Sequence, residues 1–192
     1  MSLASSQYKT YTPEDYLKLE VESDIRSEYR NGEIRPMTGG TPEHNRIASA
    51  LNALLWFGLR GQHYSVFITD QRLWIPAKDF YTYPDVMVIA NPVALKLGRK
   101  DTVTNPLLLA EVLSDSTQSY DRGDKFDAYR TIPTFQEYLL IDQSKPYVEQ
   151  FAKQSEHQWV LTEYSDLDAQ VSLSSISIKL SLKDLYEGVI SS

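Results

Sequence analysis

The stretch Pro84-Asp85-Val86-Met87-Val88-Ile89 opens the part of the chain that decides the fold, and Leu107-Leu108-Leu109-Ala110-Glu111-Val112-Leu113 follows it. Both runs have the apolar composition of buried strands. Each run also holds one acid, Asp85 or Glu111, and an ionised carboxylate is costly to bury unless a partner or a metal ion compensates its charge. The two acids therefore need an explanation.

Side-chain alternation relates the positions of these acids. Successive residues of a strand face opposite sides of the sheet, so Asp85 shares a face with Met87 and Glu111 shares one with Leu109. If the two strands are neighbours in register, the carboxylates converge at the end of an apolar face. Two carboxylates and a backbone carbonyl, such as that of Val112, are the hard oxygen ligands that Mg²⁺ prefers. We therefore predict a site for Mg²⁺ or Mn²⁺ that serves phosphodiester chemistry.

A helix predicted from about Gln118 to Arg130 supplies a cation for this site. Asp121, Lys125 and Tyr129 are spaced at i, i+4 and i+8, so they share one side of the helix. An ammonium group at position 125 could orient the attacking water or stabilise charge that develops on the phosphate. Asp121 would hold that ammonium group in place.

Simpler explanations remain open for each of these residues. Asp85 could accept backbone hydrogen bonds in a loop, and Glu111 could form a buried ion pair with Lys125 or with an arginine. The Asp121–Lys125 pair alone could be a solvated helix salt bridge. A glycosidase that uses the same two acids has no further support in the sequence. The sequence has no Gly-rich phosphate loop, which argues against an NTPase.

The N-terminal part of the chain carries clear start and turn signals. Thr12-Pro13-Glu14-Asp15 is typical of a helix start, and Asn31-Gly32 between short alternating runs indicates a β-hairpin. Thr41-Pro42-Glu43-His44 repeats the helix-start pattern, and this second helix is predicted to run to about Arg60, where Gly61 can end it.

The remaining elements complete a mixed sheet flanked by helices. The sequence predicts one long strand or two short ones over residues 63–75, a loop over 77–82, and a polar loop or short helix over 91–105. It predicts further strands at 137–142, 147–151, 158–164 and 177–180, and a closing helix at 181–186. This order indicates the α/β (α+β) class and a single domain over residues 1–192, of which 1–11 are expected to be flexible.

Composition narrows the classes of function. The 192 residues include no cysteine, which excludes disulfides, a thiol nucleophile and thiolate metal sites and is compatible with a cytoplasmic location. We find no secretory signal, and the apolar runs are too short to cross a bilayer, so no membrane partner is expected. The net charge of −7 argues against tight non-specific binding of nucleic acid, although it allows a local basic rim around an acidic metal pocket.

Several segments resemble the Uma-two family of restriction-endonuclease-like proteins, a branch of the PD-(D/E)XK nuclease superfamily. The segments that carry the resemblance are Arg26-Ser27-Glu28-Tyr29-Arg30-Asn31-Gly32-Glu33, the helix start around His44, Pro84-Asp85-Val86, Glu111-Val112-Leu113-Ser114-Asp115-Ser116-Thr117, Asp121-Arg122-Gly123-Asp124-Lys125 through Tyr129, and Glu137-Tyr138. The resemblance spans most of the chain, and its segments occur in the family's order.

The resemblance implies a restriction-endonuclease-like core with a metal at Asp85 and Glu111, and DNA as the partner. The superfamily's E-x-K pattern would place a lysine at position 113, where this chain has Leu113. The branch resembled here implies that the lysine has moved to the helix, at Lys125. A second departure is Leu139, where the family pattern often has tryptophan, and we interpret it as a change in packing only.

Two further residues are candidates for supporting roles. Glu28 resembles a recurrent glutamate of the family and could provide a metal or water contact. His44 lies in the first turn of its helix, where a neutral imidazole is favoured, and it could be either structural or part of the site. The leading hypothesis is a Mg²⁺- or Mn²⁺-dependent nuclease that hydrolyses DNA phosphodiesters. The alternative is a catalytically silent binding or assembly module, homodimeric through exposed apolar strands in the C-terminal half.

Overall fold

The N-terminal residues form the predicted helix and hairpin. The computed structural model describes residues 10–190. Thr12 is the N-cap of helix α1 (Pro13–Glu22), and its side chain accepts a hydrogen bond from the Asp15 N–H. Strands β1 (Ser27–Arg30) and β2 (Glu33–Pro36) pair in antiparallel orientation. The turn residues Asn31 and Gly32 have φ angles of 49° and 92°, and positive φ at both central positions is what this hairpin turn requires.

The segment predicted to be flexible is only partly described. Residues 1–9 of it lie outside the described residues. Tyr11 donates its backbone N–H to the carbonyl of Gly32 at 2.9 Å, so the last residue of that segment is attached to the hairpin turn.

The middle of the chain contributes one long helix and six strands. These elements are α2 (Pro42–Gly58), β3 (Tyr64–Ile68), β4 (Arg72–Ile75), β5 (Phe80–Thr82), β6 (Val86–Ala90), β7 (Thr102–Val103) and β8 (Leu108–Leu113). The C-terminal third adds five strands and a short helix. They are β9 (Glu137–Asp142), β10 (Val148–Ser155), β11 (Gln158–Tyr164), β12 (Gln170–Ser172), β13 (Lys179–Ser181) and a final helix (Leu182–Leu185).

The strands form two larger sheets and one small one. The first sheet has the order β2-β1-β5-β4-β7, the second β11-β10-β9-β8-β6-β3, and β12 pairs with β13. In the second sheet β8 and β9 are parallel, while the other neighbouring pairs are antiparallel. The sheet is therefore mixed, as the sequence predicts.

A helical connection joins the two parallel strands. It consists of α3 (Gln118–Tyr120), a π-helical turn (Asp121–Lys125) and α4 (Phe126–Tyr129), which we call the composite helix. The predicted helix is thus present, but it is not a regular α-helix throughout. A parallel strand pair requires a crossover connection of this kind, because the chain must return to the same end of the sheet.

The central strands of the six-stranded sheet, β6, β8 and β9, are buried on both faces. Helix α2 and the C-terminal segment cover one face, where Val86, Val88 and Ala110 belong to the apolar core. The composite helix and the five-stranded sheet cover the other face, where Met87 and Leu109 point. Burial on both faces explains why these strands are almost continuously apolar in sequence.

Two predictions about local structure are wrong, and one strand was missed. Residues 77–82 are not a loop, because they include the end of a short 3-10 helix (Pro76–Lys78) and strand β5. The segment 91–105 contains strand β7, which pairs with β4. Strand β12 was not predicted. These strands have only two or three residues, too few to show alternation, and distant pairing partners stabilise them. None of the helices within residues 10–190 is long and apolar enough to span a bilayer.

Candidate active site

The two predicted acids lie opposite each other at the ends of adjacent strands. Strands β6 and β8 pair with Val86 opposite Ala110. Asp85 precedes Val86 and Glu111 follows Ala110, so the same antiparallel register brings these two acids face to face. Both are buried, with 8% and 3% of their surfaces exposed. Their proximity follows from strand alternation and register.

Asp85 is held through one of its two carboxylate oxygens. Its Oδ2 accepts hydrogen bonds from the backbone N–H of Val112 at 2.8 Å and from the Nε2 of His44 at 3.1 Å. The N–H and C=O groups of one strand residue project toward the same neighbouring strand. The carbonyl of Val112 therefore projects toward the Asp85 side of β8, as a metal ligand at that position would need.

Glu111 is also held through one oxygen. Its Oε1 accepts a hydrogen bond from the hydroxyl of Tyr129 at 2.6 Å, and the Nζ of Lys125 lies 3.1 Å from the same atom. Lys125 and Tyr129 come from the same side of the composite helix, as their spacing predicts. Both simple explanations therefore occur in the structure, since Asp85 accepts a backbone hydrogen bond and Glu111 forms a buried ion pair.

Lys125 is surrounded by carboxylates. Its Nζ lies 3.0 Å from Asp121 Oδ1 and 3.7 Å from Glu28 Oε1, in addition to its contact with Glu111. Burial alone would lower the pKa of Lys125, but Glu111, Glu28 and Asp121 raise this pKa well above its ordinary value. The ammonium group therefore keeps its charge at neutral pH.

The acids outnumber the cations in this cluster, and burial favours the protonated form of Glu111. Burial raises the pKa of Glu111 to about 8, against the lowering effect of Lys125, and Asp121 and Asp85 raise it further. A buried acid of this kind is protonated at neutral pH unless another cation compensates the charge. The cluster thus carries negative charge that a bound cation would neutralise.

His44 differs from its prediction in one respect. Its hydrogen bond to Asp85 raises the pKa of His44 and burial lowers it, with a net increase, which works against the predicted preference for a neutral imidazole. The nearby carboxylate outweighs the positive end of the α2 dipole. Gly40 makes room for this ring, because a Cβ at Gly40 would lie 2.7 Å from the His44 Nδ1. Sequence reasoning did not identify this role of Gly40.

Glu28 forms the wall of the cluster on the hairpin side. Its carboxylate accepts hydrogen bonds from the hydroxyl of Thr82 and, at 3.0 Å, from that of Tyr120. Thr82 and Tyr120 were not predicted as site residues. Tyr120 is one position before Asp121 in the predicted helix, but no sequence pattern relates it to Glu28.

The structure brings all the predicted side chains into one cluster, which contains Glu28, His44, Asp85, Glu111, Asp121 and Lys125. Leu113, at the position of the superfamily's lysine, lies instead in the apolar core beside the composite helix. The ammonium group reaches Glu111 from that helix, so the cluster has a lysine in spite of the departure from E-x-K.

The donor groups fit a hard divalent cation. Within residues 10–190, no group of three or more His, Cys, Asp or Glu side chains is arranged to hold a metal ion. Two carboxylates, those of Asp85 and Glu111, remain as candidate metal ligands. Each has a second oxygen, Asp85 Oδ1 or Glu111 Oε2, that accepts no hydrogen bond from the described residues and is not enclosed. Mg²⁺ commonly uses one or two carboxylates, with water and a substrate phosphate completing its shell.

Comparison with known proteins identifies the family. The Uma2 family model, described as "Putative restriction endonuclease", matches residues 13–183. The chain belongs to this family. It is 42% identical over 170 residues to the uncharacterized protein sll1609 of Synechocystis sp., covering 88% of this chain and 96% of that protein. It is 33% identical over 187 residues to the uncharacterized protein slr1290 of the same organism, covering 96% of each.

A solved structure supports the predicted fold of this Uma2 family member. The structure is similar to the crystal structure of "a putative nuclease belonging to DUF820" from Anabaena variabilis, with a TM-score of 0.75 and 22% sequence identity. The similarity covers 94% of this chain and 99% of that one. The mixed α/β architecture and the likeness to a nuclease fold are therefore confirmed.

Proposed function

We propose that this chain is a Mg²⁺- or Mn²⁺-dependent nuclease that hydrolyses DNA phosphodiester bonds. In this proposal Asp85 and Glu111 bind the metal, with the Val112 carbonyl as a further ligand, and Lys125 assists the water or the transition state. Glu28, His44 and Asp121 support these groups. Membership of a family described as restriction endonucleases supports the reaction class.

One observation carries the proposal. Asp85 and Glu111 face each other, and each uses one oxygen for protein contacts while the other has no protein partner among the described residues. A purely structural ion pair needs a balance of charge. Here the acids exceed the cations, which is the arrangement that attracts a divalent ion.

The residues around the acids have separate tasks in this mechanism. A bound divalent ion would polarise the phosphoryl group and lower the pKa of water. His44 and the Val112 N–H fix the orientation of Asp85, and Tyr129 fixes that of Glu111. Lys125 donates hydrogen bonds to the attacking water or to an oxygen of the phosphate. Hydrolysis forms one phosphorus–oxygen bond to water and breaks one to a sugar oxygen.

The metal site is tested by isothermal titration of Mn²⁺ into the wild type and into Asp85→Asn and Glu111→Gln. These replacements keep the volume of each side chain and remove its charge. We expect binding by the wild type and its loss in both variants. Asp115→Ala removes an exposed acid from the loop after β8 and serves as the control, which should bind Mn²⁺ like the wild type.

Cleavage is tested next with radiolabelled single-stranded and duplex DNA in Mg²⁺ or Mn²⁺. The proposal expects cleavage by the wild type and by Asp115→Ala, and none by the two site variants. Absence of Mn²⁺ binding by the wild type, both alone and with DNA present, would count decisively against a metal-dependent nuclease.

The ion-pair network supports a second candidate function. Lys125 contacts three carboxylates, as a structural cluster in a catalytically silent module would. In that case the chain would be a binding or assembly module, with a homodimer as the simplest assembly. Analytical ultracentrifugation of the metal-free protein distinguishes the two, because a silent module predicts assembly without Mn²⁺ binding or cleavage.

A further inference from the structure

The β1–β2 hairpin presents an arginine beside the acid cluster. Arg35 on β2 lies directly opposite Glu28 on β1, so their side chains share one face of the hairpin. The Arg35 guanidinium lies over the ring of Tyr120, with its carbon 5.8 Å from the ring centre. The hydroxyl of the same Tyr120 donates its hydrogen bond to Glu28. Arg35 is thus fixed to the wall of the site by stacking and by strand register.

The guanidinium of Arg35 is accessible and weakly held. Its side chain is 54% exposed, and its acidic partner, Glu33, is 60% exposed and only two positions away. Exposed pairs of this kind contribute little to stability. An incoming anion can therefore replace Glu33 at small cost, and a guanidinium can bind two oxygens of a phosphate at once.

Other cations near the cluster are paired with acids on neighbouring elements. Lys125 is buried among carboxylates, Arg30 forms an ion pair with Asp124 at 3.1 Å, and the Arg122 guanidinium donates several hydrogen bonds to the buried Glu149. These contacts attach the composite helix to the hairpin and to β10. Arg35 differs from Lys125 and Arg122 in that its loss would leave no buried acid without a partner.

The position of Arg35 fits a phosphate near the cleaved bond. The Nζ of Lys125 also lies 5.8 Å from the centre of the Tyr120 ring, so the two cations are separated by at most twice that distance. A nucleic-acid strand advances roughly 3.4 Å per nucleotide along a duplex axis. A phosphate held by Arg35 would therefore belong to the same short stretch of strand as one at Lys125.

We infer that Arg35 binds a backbone phosphate of the DNA strand next to the cleaved phosphodiester and so anchors the strand across the acid cluster. This inference rests on the proposed nuclease function. The contact is made to the backbone, so it positions the strand without reading its sequence. In an acidic protein with a net charge of −7, such a local anchor offsets repulsion between the protein and DNA.

The inference is tested by measuring DNA binding as a function of salt for the wild type, Arg35→Gln, Arg35→Lys and Arg60→Gln. Arg60 is a matched control because it also stacks on an aromatic ring, that of Trp56, at the far end of α2 from His44. Fluorescence anisotropy of labelled single-stranded and duplex DNA is recorded in Ca²⁺, which takes the same kind of oxygen ligands as Mg²⁺.

We expect Arg35→Gln to weaken binding about tenfold at low salt and to reduce the slope of log K against log salt by about 1. The effect should be equal for DNAs of different sequence. Arg35→Lys should keep the slope, because it keeps the charge, and Arg60→Gln should behave like the wild type.

Three other results would overturn the inference, and they are distinguishable. An unchanged salt slope in Arg35→Gln, with DNA bound by the wild type, removes the role of Arg35 and leaves the nuclease proposal standing. Loss of Mn²⁺ binding by Arg35→Gln would mean that the residue acts structurally through Tyr120 and Glu28. No DNA binding by the wild type at any salt concentration would overturn the proposed function together with the inference.

Discussion

Replacing Lys125 with methionine tests the charge arrangement of the acid cluster. Methionine keeps the length and apolar stem of the side chain and removes the ammonium group. In the wild type that group lies 3.0 Å from Asp121, 3.1 Å from Glu111 and 3.7 Å from Glu28. The variant therefore leaves three carboxylates in a buried site without their shared cation.

The expected loss of stability is large. Removing one partner of a buried ion pair costs roughly 3–5 kcal/mol, because the remaining charge is left without compensation. Lys125 serves three acids, which places the cost toward the upper end of that range. Proton uptake by Glu111 moderates it, since burial already raises the pKa of this carboxyl to about 8. We expect Lys125→Met to lose about 3–4 kcal/mol at neutral pH in the metal-free protein.

The loss should depend on pH in a defined direction. Lys125 lowers the pKa of Glu111 in the wild type, so without the ammonium group this pKa rises further, and the folded variant keeps a proton that the unfolded chain releases. The variant is therefore less destabilised at about pH 5 than at about pH 8. Urea denaturation followed by tryptophan fluorescence at both pH values measures the difference.

An exposed lysine provides the control for this experiment. Lys18 is on the surface of α1, and Lys18→Met should change the free energy of unfolding by less than about 0.5 kcal/mol at either pH. If Lys125→Met lowers the free energy of unfolding by less than about 1 kcal/mol at neutral pH, the acids are solvated and do not form a buried cluster around Lys125.

Three further predictions follow from single contacts. In the metal-free wild type, the free energy of unfolding should fall as pH rises from about 5 to about 8, by at most ~1.4 kcal/mol per pH unit. The reason is that folded Glu111 keeps a proton that the unfolded chain loses. Urea denaturation of Glu111→Gln at the same pH values should show a smaller pH dependence. Tyr129→Phe should cost about 1–3 kcal/mol in thermal unfolding and weaken Mn²⁺ binding in calorimetry, since Glu111 loses a 2.6 Å hydrogen bond. Gly32→Ala should lower stability by about 1–2 kcal/mol in urea denaturation, because its φ of 92° is unfavourable for a residue with a Cβ.

The positions of the principal site residues could be predicted because each depends on a local repeat. The period of two in a strand gives the face on which Asp85 and Glu111 lie, their opposition also requires the register of β6 and β8, and the row from Asp121 to Tyr129 follows from the period of a helix. The sequence could not decide between structural and metal-binding explanations. The structure shows why these explanations are compatible, since a carboxylate has two oxygens and only one is used in each acid.

The contacts of the hairpin could not be predicted, because they join residues far apart in the chain. Glu28 and Tyr120 are separated by 92 positions, and no spacing rule connects them. The short strand β5 places Thr82 beside Glu28 through its pairing with β1. A three-residue strand has too little pattern to be recognised alone, so the contact between Thr82 and Glu28 was missed together with the strand that carries Thr82.

The negative net charge of the chain should repel DNA, but the chain can still bind a DNA substrate if metal binding and DNA binding are coupled. Without a metal, the excess of acids in the cluster repels a phosphate, and the exposed Arg35 alone offsets only part of that repulsion. A divalent ion held by Asp85 and Glu111 would neutralise the local negative charge and could bind a phosphate oxygen. DNA affinity should then rise with metal concentration in the wild type but not in Glu111→Gln. An affinity independent of metal in both proteins would instead locate the DNA-binding surface away from the acids.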